Sequence, residues 1–390
     1  MGKHLVFVAL AGHGHVNPTL PLVEELVRRG HRVDYATQPE HSEAVAAAGA
    51  RWVPLPPLGR FVPPPDPGPD LVGAWLQHLF AAMRASYPAL REHCRAHRPD
   101  AVCYDAVNWP GRLVADELAA PAIRFVPNLA SNATHSLEQQ LTAGLGADHP
   151  AMAGLAADCA AFAAEHGVPL DVRATLDVPE SLNLVAVPRE FQPAGHTFDE
   201  RFQFLGPLLG SRERTESWTP PDPDKPVLFI SLGTVFTDRP EFYRACLEAF
   251  SDGAWQVAMA VGTVPAESLG PAPPGVEIRS RFPQLGVLRH ATSFLSHGGM
   301  NSVMESLHRA VPLVVVPQMT EQNANAERLQ ELGLGERLDP DAVTPEALRA
   351  AVTRVSSDRA VRTGLARMHE AIREAGGAVR GADLIDHHIN

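Results

Sequence analysis

A chain of 390 residues exceeds the roughly 250–300 over which one hydrophobic core keeps growing, so two domains are expected. Apolar residues make up 45% and charged residues 20%, a globular composition that excludes a fibre or a long disordered tail. With 33 Lys and Arg against 45 Asp and Glu, the net charge of −12 argues against nucleic acid or an anionic membrane as partner; a small anion held by backbone N–H groups stays compatible. The four cysteines, at positions 94, 103, 159 and 246, show no metal-type spacing and are too sparse for a disulfide scaffold, which suits a reducing cytoplasm. The first apolar run, Leu5 to Leu10, is too short for a secretory core or a membrane span.

Gly and Pro punctuate the chain densely, and between the breaks short β-branched runs alternate with Ala/Leu/Glu/Arg-rich stretches. Strands are predicted at residues 4–10, 32–36, 51–54, 101–104, 122–126 and 182–187, with helices at 19–29, 42–48, 75–97 and 109–118 between them. This alternation reads as βαβ units around a parallel sheet. The polar, Pro-rich segment from Leu205 to Lys225 is the best linker candidate. Beyond it the alternation restarts, with strands at 227–231, 255–261, 276–279, 293–295 and 313–316. Two α/β halves leave a cleft at their strand ends, where ligands of such sheets bind.

The first strand leads into Gly12-His13-Gly14-His15-Val16-Asn17. A dinucleotide fingerprint would need glycine where Asn17 stands, and Asn17-Pro18 reads better as a helix start. The turn places His13 at the strand's carboxyl end between two glycines, in a position to accept a proton near neutral pH; His15 reads as structural. A general-base histidine needs an orienting carboxylate. Asp105, after the run Ala101–Tyr104, is the candidate, with helix capping as the alternative role.

Two glycine turns stand in the second half: Ser231-Leu232-Gly233-Thr234, and Ser296-His297-Gly298-Gly299-Met300-Asn301-Ser302 before a helix. Each presents backbone N–H groups at a strand-to-helix turn, and the second adds a helix dipole. Neither is a P-loop, since no Gly-Lys-Ser/Thr follows, so a diphosphate would be held without that lysine. Glu305, three residues after Ser302 on one helix face, could accept two ribose hydroxyls. Glu321-Gln322 supply the acceptors and donors that a sugar requires, with a solvated helix start as the plain reading of Glu321.

The segment RFPQLGVLRHATSFLSHGGMNSVMESLHRAVPLVVVPQMTEQNANAERLQELGL, from Arg281 to Leu334, together with GHGHVNP and the linker position, resembles the inverting family 1 nucleotide-sugar glycosyltransferases over the whole chain. Within that family it is similar to the bacterial macrolide/flavonoid glucosyltransferase group. The resemblance implies the α/β GT-B fold: two Rossmann-like parallel-sheet domains facing across a cleft. Residues 1–208 would bind the acceptor, 209–224 would link, 225–375 would bind the donor, and 376–390 would pack back on the first domain. It also implies His13 as general base with Asp105 as its partner. Gly233, Thr234, His297, Gly298, Gly299, Asn301 and Ser302 would hold the diphosphate and nearby sugar. Glu305 would bind the ribose, Glu321 and Gln322 the hexose, and Gln284 the base edge. Arg281 stands where plant relatives stack a tryptophan on uracil; its guanidinium plane, beside Phe282, would take that place.

The expected reaction is one in-line displacement of a nucleoside diphosphate by an acceptor hydroxyl, with no metal and no cofactor beyond the co-substrate, UDP-glucose by preference. A dTDP-deoxysugar donor is the near alternative. A GT-B sugar-nucleotide epimerase and a catalytically silent partner protein are the rivals. Phe61, Trp75, Leu79, Phe80 and Met83 suggest a pocket for a bulky, apolar aglycone, in a chain expected to be a monomer or homodimer.

Overall fold

The computed structural model describes all residues except 1, 10, 11, 58, 60, 62–68, 144, 146–148 and 177. Contacts divide it into two compact units. The first comprises Met1–Val187, Ala194–Leu208 and Gly376–Asn390; the second comprises Pro188–Pro193 and Leu209–Ala375.

The first unit holds a seven-stranded, all-parallel sheet of order β3-β2-β1-β4-β5-β6-β7. The strands are β1 (His4–Val8), β2 (Arg32–Thr37), β3 (Arg51–Pro54), β4 (Ala101–Asp105), β5 (Ala122–Val126), β6 (Leu182–Val185) and β7 (Phe202–Phe204). Successive side chains of a strand face opposite ways, so β1 feeds two cores. Leu5 and Phe7 pack with Leu22, Leu26, Tyr35 and Ile385; Val6 and Val8 pack with Tyr87, Leu90, Trp109 and Phe162. Both sheet faces are therefore covered, as an all-parallel sheet requires. Asp34, which lies at the distance of a ribose-binding acid, is instead a buried hub of the sheet. Its carboxylate accepts from Arg51 of β3, His4 of β1 and His93 of the helix Pro69–His97.

The second unit repeats the plan with β8 (Val227–Ser231), β9 (Gln256–Ala260), β10 (Val276–Arg279), β11 (Ala291–Ser296), β12 (Leu313–Val315) and β13 (Gly335–Arg337). Their order is β10-β9-β8-β11-β12-β13, again all parallel. In both sheets the order reverses beside the first strand, between β1 and β4 and between β8 and β11. Such a switch point parts the crossovers and opens a crevice at the strand carboxyl ends.

Two segments depart from the expected division. Residues 188–193 lie in the second unit, where the Arg328 guanidinium donates to the carbonyls of Glu190, Phe191 and Gln192. The polar segment from 209 also belongs there, held by ion pairs described below. Among the described residues no helix is long and apolar enough to cross a membrane.

Candidate active site

In the first unit, the switch point brings together the turn after β1 and the end of β4. Residues 13–16 form one helical turn opened by Gly12, with the Val16 N–H donating to the Gly12 carbonyl. That turn swings the two histidines apart. His13 is exposed, and its ring meets the buried His41 edge-to-face at 5.2 Å. His15 is the ring that reaches Asp105: Nδ1 lies 2.7 Å from Oδ2. Asp105 is 1% exposed, and its Oδ1 accepts the Val107 N–H at 3.1 Å. The expected pairing of Asp105 with His13 is thus corrected, because helical rather than extended geometry at 13–16 turns His15 to the carboxylate. Burial lowers the pKa of His41, and the neighbouring His13 adds to that shift.

In the second unit the two glycine turns are built alike. Ser231 and Ser296 end adjacent strands, and each hydroxyl accepts the N–H of the glycine two residues on, Gly233 and Gly298, at 3.3 Å. Both glycines have positive φ, +81° and +87°. His297 lies between the turns. A Cβ on Gly233 would sit 2.6 Å from its ring, and one on Gly299 2.5 Å from Nε2, so neither position admits a side chain. Burial lowers the His297 pKa to about 4, leaving a neutral imidazole, and its Nδ1 has no hydrogen-bond partner among the described residues. Because the Gly298 N–H is already bound to Ser296, an anion here would meet the N–H groups that follow it. The N-cap of the helix Met300–His308 is Gly299, which offers no side-chain cap. Thr234 is exposed, and Asn301 is half-buried in that helix's first turn.

Glu305, 5% exposed, has both oxygens engaged: Arg212 Nη1 donates to Oε1 at 3.0 Å and Gln284 Nε2 to Oε2 at 2.7 Å. Burial raises its pKa, and the Arg212 charge opposes the rise. Gln284 also donates to Ser302 Oγ at 3.3 Å, so its amide, expected at a base edge, is turned inward to the residues expected at ribose and phosphate. Arg281 is exposed. The guanidinium that lies over the Phe282 ring, 4.9 Å from its centroid, is that of Arg279. Gln322 is buried, and its Oε1 accepts the Gln318 N–H at 2.8 Å; Glu321 is half-buried in the first turn of the helix Thr320–Glu331.

The expected acceptor residues separate into two groups. Phe80 and Met83 are buried in the core against Tyr87 and Phe162, with Phe80 stacked on Trp109 at 5.5 Å, so they are packing residues. Phe61, Trp75 and Leu79 are only partly buried. The Phe61 ring meets Trp75 at 4.8 Å and His78 at 5.4 Å, and His78 stacks on Trp75. Much of the Pro-rich stretch around Phe61 lies outside the described residues. Sequence reasoning missed His15, Arg212, Arg279 and His78. A signal existed only for His15, which shares the glycine-flanked turn with His13.

A family model described as "Erythromycin biosynthesis protein CIII-like, C-terminal domain" matches residues 247–375. The NDP-glycosyltransferase YjiC of Bacillus subtilis (strain 168) is 39% identical over 392 residues, covering 98% of this chain and 96% of the relative. The chain belongs to the family 1 glycosyltransferases of the macrolide group. Demethyllactenocin mycarosyltransferase of Streptomyces fradiae is 37% identical over 98% of this glycosyltransferase and 86% of its own length. The crystal structure of the calicheamicin glycosyltransferase CalG4 matches with a TM-score of 0.86 at 39% identity, over 100% of this chain and 98% of that one. The two parallel-sheet units are the Rossmann-like domains of the GT-B fold.

Proposed function

We propose that this glycosyltransferase moves a hexosyl group, with inversion, from a nucleoside diphosphate sugar to a hydroxyl of a bulky apolar natural product, with His15 as general base. The observation that carries this reading is the His15–Asp105 hydrogen bond at the switch point of the first sheet. Asp105 on Nδ1 leaves Nε2 as the acceptor nitrogen. Nε2 takes the proton as the acceptor oxygen bonds to the anomeric carbon, and the nucleoside diphosphate departs with the electron pair of the broken bond. A general base supplies about 10²–10⁴-fold. The remainder falls to orientation and to stabilisation of the leaving diphosphate by the N–H groups after Gly298 and the helix N-terminus. Phe61, Trp75 and His78 offer an aromatic surface for the aglycone.

A UDP sugar is the preferred donor, because the buried Glu305 carboxylate suits a ribose with both hydroxyls. The second reading, a dTDP-deoxysugar donor, draws on the relative named a mycarosyltransferase. The test is a panel of phenolic and macrolide acceptors with UDP-glucose and dTDP-glucose, with and without excess EDTA, followed by mass spectrometry and by the anomeric coupling of the product. A β-glycoside from UDP-glucose, formed only with an aglycone and unaffected by EDTA, is expected. Nucleotide release without acceptor would favour epimerase-type chemistry, an α-product would refute inversion, and activity restored by Mg²⁺ would refute metal-free departure.

A further inference from the structure

The peptide joining Gly298 to Gly299 is gripped from inside the second unit. A Cβ at Gly298 would lie 2.7 Å from Val315 Cγ1 and 3.1 Å from the Gln322 carbonyl oxygen, so the turn is pressed against β12 and the helix Thr320–Glu331. The Gly298 carbonyl accepts the Asn325 Nδ2 amide at 2.9 Å. Asn325 stands on that helix with no exposed surface, and its own Oδ1 has no hydrogen-bond partner among the described residues. A buried carbonyl without a partner is unfavourable, so asparagine at this position is explained by its donor and not by its acceptor.

A trans peptide is planar, with its C=O and N–H directed to opposite sides. Fixing the Gly298 carbonyl on Asn325 therefore fixes the Gly299 N–H in the opposite direction, away from the helix Thr320–Glu331. Ser296 holds the preceding N–H, so the turn is clamped on both sides of Gly298.

We propose that Asn325 is a positioning residue for the leaving diphosphate: its amide aims the Gly299 N–H, and with it the start of the helix Met300–His308, at the phosphate oxygens. This rests on the reading of Ser296–Gly299 as the diphosphate turn. Asn325 touches no reacting atom, and its effect passes through one backbone peptide. Loss of the amide should therefore weaken ligands that carry the diphosphate and spare the nucleoside.

The experiment is calorimetric titration of the full chain with UDP, uridine, dTDP and thymidine, for the wild type, N325L and N325D. Leucine keeps the approximate volume without the donor; aspartate keeps the shape and serves if N325L does not fold, as judged by thermal unfolding. A loss of about five- to tenfold in diphosphate affinity, with nucleoside affinity changed less than about twofold, is expected. Equal losses for nucleoside and diphosphate would overturn the proposal by making Asn325 a general support of the pocket. Unchanged diphosphate affinity would overturn it too. A wild type that binds UDP and dTDP no more tightly than their nucleosides would instead remove the diphosphate reading of the turn itself, and the role of Asn325 with it.

Discussion

The two histidines of the turn after β1 are chemically identical and two positions apart, yet the turn gives them different neighbours. His15 meets a buried carboxylate, and His13 meets the edge of another imidazole. The first arrangement fixes a tautomer and stabilises a positive ring. His15→Ala should therefore lower kcat by at least about a hundredfold while UDP affinity stays unchanged, and His13→Ala should cost far less. Asp105→Asn should lower kcat with little change in donor KM, since it disturbs the tautomer and not the pocket. Steady-state kinetics with parallel titration of UDP decide the matter; a larger loss for His13→Ala would return the base assignment to His13. His297 should contribute no titration near neutrality, because burial holds its pKa at about 4 and its ring stays neutral throughout the working range.

At the scale of elements, the segment after residue 208 is a structural part of the second unit. Its short helix, Arg212–Thr215, is latched at several points. Arg212 bonds Glu305 and Glu216; Glu216 accepts the Leu285 N–H; Glu213 pairs with His308 and Arg309. Arg212 has a defined electrostatic task there. Burial raises the pKa of Glu305, and the Arg212 charge holds it down against the further upward push of Glu216. Arg212→Met removes that restraint, so the Glu305 pKa should climb further and its ionised form should be lost as pH falls through the higher value. The KM for a ribose-nucleotide donor should then rise more at pH 6 than at pH 8.5, while the wild type changes less across that window. A KM increase equal at both pH values would mean that Arg212 acts by packing alone.

This latch also shows where sequence reasoning stopped. Strands such as VLFIS and AVCYD declare themselves because both faces of a parallel sheet are buried, which makes them continuous apolar runs. FQF (β7) and GER (β13) escape notice because three-residue edge strands carry no such run. The turns at Gly233 and Gly298 are legible because positive φ favours glycine. The Arg212–Glu305 and Gln284–Glu305 contacts are not, since they join residues 93 and 21 positions apart and no local pattern encodes them. His15 was hidden for a smaller reason: in Gly-His-Gly-His, an extended turn and a helical one present different rings, and composition does not choose between them.

At the scale of the molecule, the chain ends by completing its first unit. The helix Gly377–His388 places Ala382 and Ile385, each fully buried, in the core beneath β1 and β2. Gly381 lies where a Cβ would approach Leu205 and Leu22 to about 3 Å. Around this contact, Arg29 pairs with Asp383 and Asp386, His31 with Asp386, and the Gly377 N–H with the Leu205 carbonyl. Removing residues 376–390 therefore strips the cover from Leu22 and Leu205 as well as deleting Ile385. At roughly 25 cal/mol per Å² of apolar surface, losing a buried Ile together with its neighbours' cover costs the first unit about 3 kcal/mol or more. The second unit comprises 188–193 and 209–375, so all of its own residues remain. Truncation should therefore split thermal unfolding into two transitions, the lower one belonging to the first unit. Added UDP should raise only the upper transition, because a ligand stabilises the unit that binds it in proportion to the logarithm of its concentration. Differential scanning calorimetry at several UDP concentrations reads both effects, and a single transition at the wild-type temperature would show that the terminal helix is dispensable to the first unit.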